Sequence, residues 1–113
     1  MFTRIWDAWM PQDHADTYET LLTRTVFPAI RAKQADGLQT MELLRRETRE
    51  AVEFVVIFRF TDLESFRQIA RLDSDTALVP DAARRVLKSF EDRARHFESR
   101  FTLDAAREME YAA

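Results

Sequence analysis

The sequence contains no cysteine in its 113 residues and only one glycine, Gly37. The absence of cysteine excludes disulfides, thiolate metal sites and a cysteine nucleophile. A single glycine excludes the phosphate-binding and dinucleotide-binding loops, because each of those motifs needs several glycines. No apolar run approaches the ~20 residues that cross a bilayer, and the first residues lack the basic leader and apolar run of a signal peptide. We therefore expect a cytoplasmic protein with no membrane partner.

The charge of the chain is nearly balanced. The net charge is −3, and acidic and basic residues alternate along the sequence. Nucleic-acid binding would need a concentrated basic patch, so we expect no nucleic-acid partner. The hydrophobic fraction is 46%, and nine phenylalanines and two tryptophans are present, which is enough for one packed interior. We predict a single domain over residues 1–103 and a C-terminal tail over residues 104–113, which has little to bury.

The hydrophobic pattern predicts an α+β fold. Alternating and helical spacings succeed one another as strand 2–9, a helix capped by Asp13, a hairpin over 37–60, a helix starting near Thr61, a helix after Pro80 that carries Phe90, and a strand within 91–102. Pro28 should interrupt the first helix, since proline removes one backbone hydrogen bond. The hairpin turn near residues 47–50 lacks glycine, asparagine and proline, so it should exceed two residues. This order is the split βαβ arrangement, a four-stranded antiparallel sheet with helices on one face.

Both faces of this sheet should be buried. In the first strand Phe2, Arg4, Trp6 and Ala8 share one side; in the third, Phe54, Val56, Phe58 and Phe60 face away from Val55, Ile57 and Arg59. The chain's own helices can cover only one face. We therefore predict that a second copy covers the other face in a closed homodimer.

Few residues stand out as candidates for chemistry. His14 is expected to be exposed, and His96 is either an ordinary partly buried histidine or a pocket residue that binds a ligand or moves a proton. Neither histidine has metal-ligand spacing, so no metal is predicted. Arg59 is a charge in an apolar strand, and it needs a carboxylate partner in a structural ion pair or an anionic ligand. Trp6 is either a core or interface residue or a ligand contact.

Several stretches together resemble the antibiotic biosynthesis monooxygenase-like family, in particular its small uncharacterised members. They are RIWDAW at 4–9, VFPAIRAKQADG at 26–37, ELLRRE at 42–47, VEFVVIFRFTDLESFR at 52–67 and RARHFE at 93–98. The resemblance runs in order over residues 2–101. It implies a ferredoxin-like subunit that forms a dimeric α/β barrel, with a ligand pocket between the sheet and the helices of each subunit.

The resemblance also implies two functions. The first is a cofactor-independent monooxygenase acting on a small aromatic or polyketide-type substrate. His96 would then accept a proton, Arg59 would steady an oxyanion, and Trp6, Tyr18 and Phe58 would bind the substrate. The second is a non-catalytic dimeric barrel that binds a small apolar molecule or assists a pathway enzyme. The superfamily also has a haem-degrading branch, whose site uses an asparagine. This chain has no asparagine, so it resembles that branch only in fold. The proposed site, in which His96 and Arg59 act together, requires both side chains to line one cavity.

Overall fold

The computed structural model describes residues 1–32, 37–62, 64, 89–90 and 94–107. Its central element is strand β1 (Phe2–Met10). Strand β3 (Val52–Phe60) pairs with one edge of β1, and β2 (Leu38–Glu47) pairs with the far edge of β3. Two short strands, β4 (Ser89–Phe90) and β5 (Arg95–Glu98), pair with the other edge of β1. All these pairings are antiparallel, and the spatial order is β2-β3-β1 followed by β4 and β5.

The connection between β1 and β2 is helical but changes its winding three times. It comprises a 3₁₀ turn (Gln12–His14), helix α1 (Ala15–Leu21), a π-helical turn (Leu22–Val26) and helix α2 (Phe27–Ala32). The predicted Asp13 cap is wrong, because Asp13 lies within the 3₁₀ turn and neither helix start has a side-chain cap. The predicted interruption at Pro28 is found as the π turn before it. Because Pro28 has no N–H to donate, the ladder widens ahead of it.

The hairpin of β2 and β3 turns over four residues, which agrees with the predicted turn of more than two residues. Within this turn the Thr48 N–H donates to the Ala51 carbonyl at 2.9 Å, and the Thr48 hydroxyl accepts from the Ala51 N–H at 3.1 Å. These bonds stabilise a four-residue turn, which does not need the glycine that a tighter turn would need. At the other end of the hairpin, the Thr61 N–H donates to the Gly37 carbonyl at 2.8 Å.

On the second edge of β1, strand structure begins earlier in the chain than predicted. Phe90, which was expected on a helix, belongs to β4 and pairs with Ala8. At Phe90, backbone pairing with β1 therefore replaces the helix that the sequence spacing predicted. The predicted helix after Thr61 lies outside the described residues except at residues 61, 62 and 64, and the predicted helix after Pro80 lies outside them up to residue 88. Of the predicted tail, residues 104–107 are described, and Ala105–Arg107 form a 3₁₀ turn. The division into domain and tail remains a prediction.

The core lies between the sheet and the helical connection. Strands β1 and β3 bury alternate residues on this face, including Trp6, Ala8, Phe54 and Phe60, as their alternation predicts. Strand β2 is held to α1 by Arg45, whose guanidinium donates to Asp16 at 2.8 Å and to Glu19 at 3.2 Å. The subunit thus has the predicted ferredoxin-like fold, a four-position antiparallel sheet with helix on one face. None of the described helices combines the length and apolar character needed to span a bilayer.

Candidate functional site

An apolar cleft opens between the sheet and the helical connection. Its cavity volume is about 30 Å³, which is enough for one or two water molecules, and it is open to solvent. The cleft walls are formed by Leu22, Val26, Phe27 and Ile30 from the helices and by Arg4, Trp6, Val56 and Phe58 from the sheet. An aromatic ligand would therefore require the cleft to widen.

The π turn shapes the helical wall of this cleft. Leu22 and Val26 stand at its two ends, and the Phe27 N–H donates to the Leu22 carbonyl, five residues earlier. The extra residue in the turn rotates the following helix, so that Phe27 and Ile30 also face the sheet. The Phe27 ring meets the Phe58 ring edge to face at a centroid distance of 5.8 Å. Pro28 thereby acts on the site through the backbone geometry it imposes.

The strand register places three candidate residues in one row. Arg4 in β1 is opposite Phe58 in β3 and opposite His96 in β5. Residues that are directly opposite in antiparallel strands share a face of the sheet. His96 therefore lies on the cleft face, beside Arg4, although it is not one of the side chains that line the cleft. Its Nε2 atom is buried.

The same register separates His96 from Arg59. Arg59 is opposite Thr3, and Thr3 is opposite Phe97, so Arg59 lies on the face of the sheet away from the cleft. Its guanidinium donates to Glu42 at 3.0 Å, which is the structural ion pair that the sequence allowed. The prediction that His96 and Arg59 could line one cavity is wrong. Arg59 is opposite Thr3 and His96 is opposite Arg4. Because Thr3 and Arg4 are neighbours along β1, they point to opposite faces of the sheet.

The three aromatic candidates occupy two different environments. Trp6 and Phe58 line the cleft, as substrate-binding residues would. Tyr18, on α1, packs in the core instead, with its ring 5.2 Å from the Phe54 ring. Its burial raises the pKa of its hydroxyl, so Tyr18 stays neutral at ordinary pH. Their roles in binding remain predictions, and Tyr18 does not line the cleft.

Arg4 is the residue that the sequence reasoning missed. It is 6% exposed and is the one buried charged side chain among the described residues. The signal was available, because Arg4 interrupts the side of the first strand that carries Trp6 and Ala8. The same reasoning that singled out Arg59 in its strand applies to Arg4, and the structure shows that Arg4 is the one on the cleft.

The opposite face of the sheet, which we call the open face, combines apolar side chains with paired charges. Ile5, Trp9, Val55 and Ile57 are half-buried there, and Phe97 is 48% exposed. Among them, Arg95 lies 3.8 Å from Asp7, and Arg46 forms an ion pair with Glu53. Side-chain hydrogen bonding with Asp7 and with Arg46 lowers the pKa of Glu53 below its usual 4.5. Arg46 and Arg95 thus each lie beside a carboxylate of the same sheet.

A metal site finds no support in the described part of the chain. There, no three histidine, aspartate or glutamate side chains come close enough together to hold an ion.

Comparisons with known proteins identify the fold. No protein-family model and no curated protein matches the chain. Among solved structures, a candidate antibiotic biosynthesis monooxygenase from Deinococcus radiodurans aligns with a TM-score of 0.62 at 14% identity, over 92% of this chain and 97% of that one. The heme-degrader MhuD from Mycobacterium tuberculosis, with two hemes bound in its active site, aligns with a TM-score of 0.60 at 17% identity, over 92% and 100%. A dimeric ferredoxin-like protein from an uncultured marine organism aligns with a TM-score of 0.57 at 10% identity, over 90% and 98%. At these identities the likeness shows a shared fold.

The residues that line this cleft do not fit a haem, because none of them is a histidine, cysteine, methionine or tyrosine that could ligate its iron.

Proposed function

We propose that the protein binds a small aromatic molecule in the cleft and oxygenates it as a cofactor-independent monooxygenase. The observation that carries this proposal is the composition of the cleft walls. Trp6, Phe27 and Phe58 provide aromatic surface, Arg4 adds a charged group to the wall, and His96 lies beside Arg4 on the same face of the sheet. A mostly apolar pocket with a few polar groups is the usual form of a small-molecule site. The fold shared with monooxygenase-like proteins supports the same reaction class.

The proposed chemistry needs only a proton acceptor and dioxygen. His96 removes a proton from an electron-rich ring carbon, such as the CH₂ of an anthrone, and leaves a carbanion that is stabilised as a phenolate. The carbanion reacts with O₂ to give a hydroperoxide, whose O–O bond breaks as water leaves. The CH₂ becomes C=O, one oxygen atom is incorporated and the other leaves in water, so that the substrate loses the four electrons that O₂ gains.

Oxygen consumption and quinone formation with a panel of anthrone-type phenols test this proposal. We expect turnover by the wild type and a loss of about 10²-fold or more in His96→Ala, the scale of a general base. Arg59→Ala is the matched control, because Arg59 lies on the open face and should leave turnover unchanged. No turnover by the wild type, or equal turnover by His96→Ala, would refute the enzymatic function.

The second candidate function is binding without catalysis. It is favoured by the separation of His96 from Arg59, which removes the oxyanion-stabilising partner expected from the sequence. The same experiment distinguishes the two functions, because a binding protein would retain the aromatic compound without consuming oxygen.

We also propose that the open face is covered by a second copy of this chain. Its apolar residues are partly exposed, Phe97 at 48% and Leu44 at 44%. They form an exposed apolar surface of the kind that marks protein–protein contacts. Among the proteins of this fold, one is described as dimeric. A monomeric mass in solution at micromolar concentration would contradict the homodimer.

A further inference from the structure

The cleft is smaller than the aromatic ring that it is proposed to bind. Its volume is about 30 Å³, whereas an apolar cavity that takes up benzene measures about 150 Å³. One of its walls must therefore move before such a ligand can bind. Of the three aromatic rings on the walls, Trp6 and Phe58 are almost fully buried, whereas Phe27 is only half-buried. Phe27 is thus the ring that has room to turn.

A second hollow, which we call the side hollow, shares Phe27 with the cleft. Its volume is about 190 Å³, and its walls are formed by Thr23, Phe27, Pro28, Arg31 and Met41. Met41 on β2 is directly opposite Phe58 on β3, so the two side chains share a face of the sheet. The side hollow therefore begins one strand nearer to the sheet edge than the cleft, a spacing of about 4.8 Å.

The contact between Phe27 and Phe58 is the part of the cleft wall that can open. The two rings meet edge to face at a centroid distance of 5.8 Å. If the Phe27 ring turns away from Phe58, it loses this contact and gains contacts with Met41, whose thioether interacts favourably with aromatic rings. The side hollow is larger than a cavity that takes up benzene, so it can receive the ring without a movement of the backbone.

We infer that Phe27 is the gate of the cleft, and that its ring turns into the side hollow when a flat, fused-ring aromatic molecule takes the space beside Phe58. This inference rests on the proposed binding of an aromatic molecule in the cleft, and it adds how that molecule gains entry. The open arrangement is one of two that the Phe27 side chain adopts. The apparent affinity for the ligand is therefore reduced by the fraction of the protein that is open.

The experiment fills the side hollow and leaves the cleft unchanged. The probe is 2-naphthol, a neutral phenol with two fused rings, whose fluorescence reports binding. Met41→Trp fills the side hollow from the sheet, and Thr23→Trp fills it from the helical connection at an exposed position. Met41→Ala is the matched control, because it changes the same residue and keeps the side hollow open. Each substitution is also made in Phe27→Ala, which has no ring to move.

We expect Met41→Trp to bind 2-naphthol about tenfold more weakly than the wild type, because the open arrangement loses its space. Met41→Ala should bind it within about threefold of the wild type. In Phe27→Ala, the further change Met41→Trp should alter the dissociation constant by less than about threefold, since the two residues act through the same movement. Should Met41→Trp not fold, Thr23→Trp takes its place in both backgrounds.

Each other result overturns the gate in a distinguishable way. If a tryptophan in the side hollow does not weaken binding, the Phe27 ring does not move there, and the gate is refuted while the aromatic cleft stands. If the tryptophan weakens binding equally with and without the Phe27 ring, the ligand itself occupies the side hollow, and the gate is again refuted. If neither the wild type nor Phe27→Ala binds 2-naphthol, the cleft is not an aromatic site, and both the gate and the proposed function are refuted.

Discussion

Two phenylalanines on the same face of β3 allow the cleft to be tested by a matched pair of substitutions. Phe54 is fully buried, packs on Tyr18 and lies under the Arg45 guanidinium, which is 5.6 Å from its ring centroid. Phe58 is 4% exposed but lines the cleft. Replacing each by alanine removes the same ring from the same strand. The two variants differ in whether the vacated space is enclosed by the core or joined to the cleft.

The structure gives different magnitudes for the two losses. Phe54→Ala should leave an enclosed cavity and lower the free energy of unfolding by about 4–5 kcal/mol, the upper part of the range for buried phenylalanine. Phe58→Ala loses the burial of the ring and its edge contact with Phe27. The vacated space, however, opens into the cleft, so that water can fill it. We expect a loss of about 3 kcal/mol. Urea unfolding at one fixed protomer concentration measures both, since a dimer makes stability depend on concentration.

The same pair should differ in ligand binding. Phe58→Ala removes one aromatic wall of the cleft and its contact with Phe27. We expect it to bind an anthrone-type phenol about tenfold more weakly, a loss of about 1.4 kcal/mol, while Phe54→Ala should bind it as the wild type does. Equal losses of stability combined with unchanged binding in Phe58→Ala would show that Phe58 is an ordinary core residue. The cleft would then not be the site.

Three further substitutions test the rest of the structure. The pKa of Glu53 is lower in the folded protein than its usual 4.5. The charge of Glu53 therefore adds stability above pH 4.5, and this contribution is lost as the pH falls through the folded-state pKa. The urea midpoint should consequently fall less between pH 7 and pH 4 in Glu53→Gln than in the wild type. Arg45→Met should lower the free energy of unfolding by about 1 kcal/mol at low salt, and by less in 1 M NaCl if its ion pairs cause the loss. Ile57→Asp, on the open face, should give a monomeric mass in ultracentrifugation while leaving the binding of anthrone-type phenols intact, and a persisting dimer would place the interface elsewhere.

The sequence was sufficient for features that depend on local alternation. In β3 every second side chain is large and apolar, and the sequence predicted which residues of β1 and β3 share a side, although it did not show which side faces the helices. The hairpin turn was also predictable, because its residues exclude the tightest turns. These features depend on neighbours in the chain, and the period of two leaves few alternatives.

Relations between distant strands could not be predicted in this way. Whether His96 faces the same side as Arg59 depends on the register of β5 against β1, which is set by about 90 residues of intervening chain. Each residue had been placed correctly as unusual, yet their faces differ. Arg4 was overlooked because its strand carries charges on both sides, with Asp7 on the other face. The π turn arises from competition between helix formation and Pro28, and no sequence pattern specifies which register prevails.

The two faces of the sheet differ in how their charges are used, and this difference connects the fold to the proposed function. On the open face, Arg59 is paired with Glu42 and Arg95 lies beside Asp7, so these charges can be covered by a second copy without new partners. On the cleft face, Arg4 is buried on the wall of a space that a ligand can enter. Strand β1 contributes to both faces through alternate residues. A substitution at Trp6 should therefore change ligand binding without changing the mass in solution, whereas one at Ile57 should do the reverse. An effect of either substitution on both properties would show that the partner subunit helps to form the cleft.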